Sequence, residues 1–209
     1  IKDGIIKEEI NRYILRDHKK NIIQISIEKN LGLACALNKA IEYCLDNNYE
    51  YIARMDADDI SFENRIAEQL DFLKKNPNYL MVGSHATIIN DEGKIIGQKV
   101  FKNEINLNNM LKDCQIIHPS VMFKADFFRI VGYYNESLAK SQDYELWLRA
   151  LHNNVQIGNI KKKLIFFRYE KGIIRRRRNE QLINIRLKKN YGNKFYWFVY
   201  EPQYKYLFL

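Results

Sequence analysis

The sequence predicts an α/β domain built on a mixed central sheet flanked by helices, and three observations lead there. An alternating β-branched run, Ile22-Ile23-Gln24-Ile25-Ser26-Ile27, precedes a stripe of apolar residues at helical spacing: Leu33, Ala36, Leu37, Ala40, Ile41, Cys44 and Leu45. A second apolar run, Tyr51 to Met55, follows and ends in an acidic loop. Strand, helix, strand, loop and helix in that order favour parallel strands covered by helices. From residue 79 onward the pattern shifts to short strands and turns, which makes the sheet mixed.

The next helix is marked by Ile66, Leu70 and Leu73 and stops before Asn76-Pro77, because a residue ahead of proline is pushed out of the helical region. Residues 79–100 read as a meander turning at Asn90-Asp91-Glu92-Gly93. Apolar runs at Val121–Phe123 and Leu164–Phe167 read as further strands. Between the first strand and the striped helix, Lys29-Asn30-Leu31-Gly32 could bring helix-entrance N–H groups to a phosphate; taken alone, it is an ordinary helix cap.

The chain has 209 residues, 46% of them hydrophobic, with 9 Gly and 3 Pro, so it can bury a substantial core and is not a disordered segment. Cys35, Cys44 and Cys114 lack metal-ligand spacing and read as reduced, buried thiols. No apolar stretch approaches the roughly 18 residues of a membrane-spanning helix, and the start does not read as a signal peptide. The chain opens on Ile1 at what resembles a strand-to-loop junction, as a fragment would.

The net charge of +9 is uneven. From Lys161 to Lys189 there are 12 Lys/Arg against Glu170 and Glu180, and the remainder carries a net of −1. Downstream, residues 191–209 hold 9 of the 27 aromatic residues. Basic residues beside aromatics suit an anionic membrane surface, at about 1 kcal/mol per Lys/Arg. A solvated basic tail over a small aromatic core is the alternative, and nucleic acid is disfavoured by the near-neutral charge elsewhere.

Asp56-Ala57-Asp58-Asp59 places three carboxylates in four positions at the end of a strand. Uncompensated charge there is costly. A divalent cation compensates it, since Mg²⁺ and Mn²⁺ take oxygen ligands and leave room for substrate phosphates. The competing reading is an acidic turn that caps the next helix through Ser61 or Asp59, with Glu63 near its positive end.

Together, Asn30-x-Gly32-x-x-x-Ala36-x-Asn38, Arg54-x-Asp56-x-Asp58-Asp59, Arg65-x-x-x-Gln69, His118-Pro119-Ser120, Gly132-x-Tyr134-Asn135 and Gln142-Asp143-Tyr144-Glu145-Leu146-Trp147-Leu148-Arg149 resemble the family 2 glycosyltransferases, above all bacterial members that build surface polysaccharide. The resemblance implies a GT-A fold over residues 1–170, lacking its first strand and helix; residues 171–209 read, from their composition, as a basic and aromatic extension. It implies a metal-dependent, inverting transferase moving a sugar from a nucleotide-sugar donor, UDP-linked in most of the family, to a saccharide or lipid-linked saccharide. Such an enzyme would be cytoplasmic, and peripheral on the inner face of the membrane if the basic segment docks there.

Carried over position by position, the resemblance makes Asp3 a nucleoside contact and Asn30 and Gly32 part of the donor site. Asp56 is then the first aspartate of the D-x-D motif, near the ribose. Asp58 is the second, ligating Mg²⁺ or Mn²⁺, and Asp143 is the catalytic base. A helix N-terminal acid stabilised by the macrodipole is the structural reading of Asp143, and both can hold. Gln142 stands where the family usually has Glu, and Phe167-Arg168-Tyr169-Glu170 replaces a Tyr-Arg-x-His segment. Arg54 and Arg65 either reach the diphosphate or neutralise the acidic loop. His118 is a hydrogen-bonded structural histidine or an acceptor contact. A catalytically inactive nucleotide-sugar-binding remnant is the alternative function.

Overall fold

The structure is a computed structural model describing residues 22–27, 29–101, 105–169 and 173–192, the last with backbone alone over 173–182. Asp3, Glu170 and the aromatic residues beyond Gly192 therefore lie outside the described residues. The chain divides into two compact units, residues 1–31 and 32–209.

In the first unit the expected strand at Ile22–Ile27 does not form; the described residues are irregular, and Ile22, Ile23, Ile25 and Ile27 are exposed. Alternation alone does not make a strand. A strand also needs a ladder, and the described sheet does not include this run.

The second unit opens with α1, Leu33–Asp46, directly after Gly32 at φ +90°, a left-handed conformation that favours glycine. The buried face of α1 is rotated from the expected stripe. Ala34, Cys35, Asn38 and Ile41 are buried, whereas Leu33 and Ala36 are exposed. The polar member explains the rotation: Asn38 donates to the Tyr134 carbonyl at 2.9 Å and accepts from the Tyr134 N–H at 2.9 Å, so a two-point clamp decides which side faces in. Of the three free thiols, Cys35 is buried and Cys44 and Cys114 are half-buried.

The sheet comprises β1 (Tyr51–Ala53), β2 (Ile60–Ser61), β3 (Tyr79–Ile89), β4 (Ile95–Lys99), β5 (Met122–Lys124) and β6 (Gln156–Arg168). Its order is β1-β5-β3-β6-β2, with β4 also on β3. Among the described strands only β3 and β6 run parallel, so the sheet is mixed as expected. The long β3 serves two partners on one side: β5 pairs Met81 and Val82, and β4 pairs Ala86 to Ile89. The β3–β4 turn lies at the expected residues, with Asn90 Oδ1 accepting from Glu92 and Lys94 N–H groups and Gly93 at φ +81°.

Strand β6 is longer than its apolar residues suggest because Lys161 and Lys162 bulge out between the pairs Ser84/Ile160 and His85/Lys163. The first three lysines of the basic segment are thus exposed on the sheet, where Lys162 pairs with Glu68 at 2.7 Å.

Helix α2, Arg65–Lys75, ends ahead of Asn76-Pro77 as expected, but its inward row is Arg65, Gln69 and Leu73, with Ile66 exposed. Its N-cap residue is Asn64, so neither Ser61 nor Asp59 caps it. Short helices α3 (Leu107–Lys112) and α4 (Asp126–Val131) lead to α5, Gln142–His152. Helix α5 buries Tyr144, Leu146, Trp147, Leu148 and Ala150, and Trp147 stacks on Phe123 of β5. Helix α6, Ile173–Gly192, joins this core through Leu187, with Ile183 and Tyr191 packed beside it. No described helix is long and apolar enough to cross a membrane.

Candidate functional site

The acidic loop joins β1 to β2, and its backbone is held from three directions. The Arg54 N–H donates to Val121 O at 2.9 Å, tying the end of β1 to β5. The Arg168 N–H, at the end of β6, donates to Asp59 Oδ1 at 2.7 Å, and the Arg168 guanidinium donates to Asp58 O at 2.8 Å and to Asn90 O at 2.7 Å. From beneath comes Arg65, 1% exposed, which donates to Arg54 O at 2.7 Å, Val121 O at 3.2 Å and Gln69 Oε1 at 2.9 Å. Gln69 passes the support on to Val82 O and Ser120 O. Arg65 is therefore a structural brace for the loop.

Held this way, Asp56, Asp58 and Asp59 each offer a carboxylate oxygen, all within 4.8 Å of one another. Asp58 is exposed, while Asp56 and Asp59 are half-buried. Arg54 forms an ion pair with Asp56, but its Nε and Nη1 atoms are buried without a hydrogen-bond partner, as is Asp59 Oδ2. Burial pushes the Asp59 carboxyl up from 3.8 to about 6; the Asp58 and Asp56 charges add to the rise and the Arg168 N–H opposes it. An uncompensated acid and a converging oxygen set are what a hard divalent cation fits.

The sign of that shift gives an expected result. The folded-state value lies above the unfolded one, so the fold favours protonated Asp59; stability is full below about pH 4 and falls as pH rises through about 6. Without divalent cations, Asp59→Asn is expected to gain about 1 kcal/mol at neutral pH, after allowance for solvent screening of a half-exposed group. That is about 2–4 °C in Tm, vanishing near pH 4 in scanning calorimetry. A gain of equal size at pH 4 would contradict this account.

The second part of the site is built on α5. Ser141 precedes the helix at φ +60°, a left-handed conformation that costs a non-glycine residue about 1 kcal/mol. It delivers Asp143 to the first turn, where the helix dipole favours a carboxylate. His118 Nδ1 lies 3.9 Å from Asp143 Oδ2, and His118 Nε2 lies 2.7 Å from the Tyr134 hydroxyl. Burial first, and then the Arg54 charge, hold His118 well below its ordinary value, so its ring is neutral. The Tyr134 hydroxyl is pushed up by burial and by Asp143 and Asp56, with Arg54 opposing.

Of the residues expected at the site, Asp56 and Asp58 converge with Asp59 in the acidic loop, and Asp143 lies beside His118 at the start of α5. Gly32 sits at the start of α1, Asn30 belongs to the first unit, and Asp3 lies outside the described residues. His118 is a buried, hydrogen-bonded histidine. Sequence reasoning read Asp59 as one carboxylate of the acidic loop or as a helix cap, and gave no role to Tyr134 or the Arg168 clamp. Arg168 was visible only as part of a departure from the Tyr-Arg-x-His pattern, and Tyr134 only as a motif letter.

Comparison with known proteins bears on this geometry. Residues 6–138 match the family model described as "Glycosyl transferase family 2". The chain is 34% identical over 181 residues to the Escherichia coli UDP-Gal:alpha-D-GlcNAc-diphosphoundecaprenol beta-1,3-galactosyltransferase, covering 85% of this chain and 64% of that protein. It is 33% identical over 168 residues to the O-antigen biosynthesis glycosyltransferase WbnJ of Escherichia coli, covering 78% and 62%. The fold matches the crystal structure of S. aureus TarS 1-349 in complex with UDP at a TM-score of 0.60 and 16% identity, over 87% of this chain and 52% of that one. This chain spans less than two thirds of the length of these relatives.

Proposed function

The chain belongs to glycosyl transferase family 2 and has the GT-A fold, and on that premise we propose that it moves a sugar from a UDP-linked donor to a saccharide or lipid-linked acceptor, with inversion, in bacterial surface polysaccharide synthesis. The observation that carries this reading is the convergence of the Asp56, Asp58 and Asp59 carboxylates within 4.8 Å. The printed names of the relatives support the rest: one uses UDP-Gal on a diphosphoundecaprenol-linked sugar, another serves O-antigen biosynthesis, and TarS was crystallised with UDP and with UDP-GlcNAc.

Asp58, with Asp56 and Asp59 beside it, would hold Mg²⁺ or Mn²⁺, and the cation when bound stabilises the negative charge that develops on the departing nucleoside diphosphate. Arg54 pairs with Asp56 and would steady it for a contact with the donor's ribose. Asp143 takes the proton of the acceptor hydroxyl as that oxygen attacks the anomeric carbon from the face opposite the leaving group. The logic resembles inverting glycoside hydrolysis, with a sugar hydroxyl in place of water.

Calorimetric titration of UDP, with and without Mn²⁺, tests the donor site. The wild type is expected to bind UDP only with Mn²⁺, and Asp58→Asn to weaken that binding roughly tenfold or more. Equal, metal-dependent binding by folded Asp58→Asn would overturn the assignment.

A further inference from the structure

His118 and Tyr134 lie outside the acidic loop, yet they form a buried pair leading to Asp143. Tyr134 is fixed through its backbone by Asn38 of α1, and the His118 ring packs edge-on against Trp147 of α5. One ring nitrogen faces the Tyr134 hydroxyl at 2.7 Å and the other faces the Asp143 carboxylate at 3.9 Å. A neutral imidazole carries a single proton, so its position decides what Asp143 meets. A bare Nδ1 would set a lone pair against a carboxylate. Burial keeps both the ring neutral and the tyrosine protonated, so the hydroxyl has a hydrogen to give.

We propose that Tyr134 and His118 are positioning residues for Asp143: the tyrosine hydroxyl donates to Nε2, which sets the ring proton on Nδ1 and aims that N–H at Oδ2. The inference rests on Asp143 as the base. At 3.9 Å the contact is one of dipole with charge and longer than a hydrogen bond, so its effect is moderate. A purely structural histidine would serve with either tautomer, which makes the tautomer decisive.

The test uses nitrogen-15 NMR of labelled histidines in the full chain. The chain has four histidines, and His118→Gln identifies the resonances of interest. The expected wild-type ring is protonated at Nδ1 and bare at Nε2. Tyr134→Phe should shift population toward the other tautomer, and Asp143→Asn should move the Nδ1 resonance. An Nε2-protonated wild-type ring, or an Nδ1 resonance indifferent to Asp143→Asn, overturns the proposal. In turnover of UDP-galactose followed by UDP release, His118→Gln and Tyr134→Phe are expected to lower kcat about tenfold with KM nearly unchanged. If Asp143→Asn is inert while both of those keep full kcat, the positioning role falls and the base stands. If Asp143→Asn turns over normally, the base reading falls as well.

Discussion

Replacing Asp143 by asparagine is expected to lower the rate of sugar transfer by about 10²–10⁴-fold, the contribution of a positioned general base, while UDP affinity stays within about twofold. The loss corresponds to about 3–5 kcal/mol of transition-state stabilisation. Asparagine matches the size of aspartate but cannot accept the acceptor hydroxyl's proton. The fold tolerates the change, because the side chain is 28% exposed on the first turn of α5, clear of the Trp147 core. Loss of a carboxylate at a helix N-terminus costs about 0.3–1 kcal/mol, so a thermal melt should barely move. Steady-state turnover beside a melt and a UDP titration separates the outcomes. Retained turnover with normal binding would remove Asp143 from the chemistry.

The second large effect is on stability. Arg65→Met is expected to cost about 3 kcal/mol, because the carbonyls of Arg54 and Val121 and the Gln69 amide lose a donor that water does not replace at a site 1% exposed. Replacing a whole buried ion pair by apolar residues is often neutral, but here two of the acceptors are backbone and stay behind. Burial, with the Arg54 charge second, lowers Arg65 to about 10, so the side chain remains charged at neutral pH despite the desolvation it bears. Lysine should not restore the loss, since a compact ammonium cannot reach acceptors on both strands and the helix as a guanidinium fork does. In a chain of this size the loss is about 6–12 °C in Tm. Urea unfolding at unchanged m-value is the measurement, and a cost below about 1 kcal/mol would show that the brace is dispensable.

Where the readings diverged, particular contacts are the cause. The expected stripe of α2 was Ile66, Leu70 and Leu73, but the donors of Arg65 and Gln69 fit backbone carbonyls at the strand ends, and satisfied polar groups can be buried. Asn38 turned α1 in the same way, by pairing with the backbone of a residue far along the chain. Strand β6 was hidden by three consecutive lysines, which a bulge allows to point outward while the ladder resumes. The run at Ile22–Ile27 had strand composition, yet among the described residues it is not part of the sheet.

The sequence by itself determined the local grammar: where α2 stops, because Pro77 forbids its continuation; where β3 turns into β4, because Asn90 and Gly93 supply the turn; and that three carboxylates crowd one loop. It also carried the family, through motifs whose order and spacing survive along the chain. Tertiary structure alone decided which groups those motifs would meet. That Arg65 braces the acidic loop, that Arg168 clamps it from the far end of the sheet, and that Tyr134 and His118 lead to Asp143 all depend on contacts between residues distant in sequence. Composition and periodicity report one element's preferences. A buried donor is tolerated only where another element brings an acceptor, and only the packed chain specifies which.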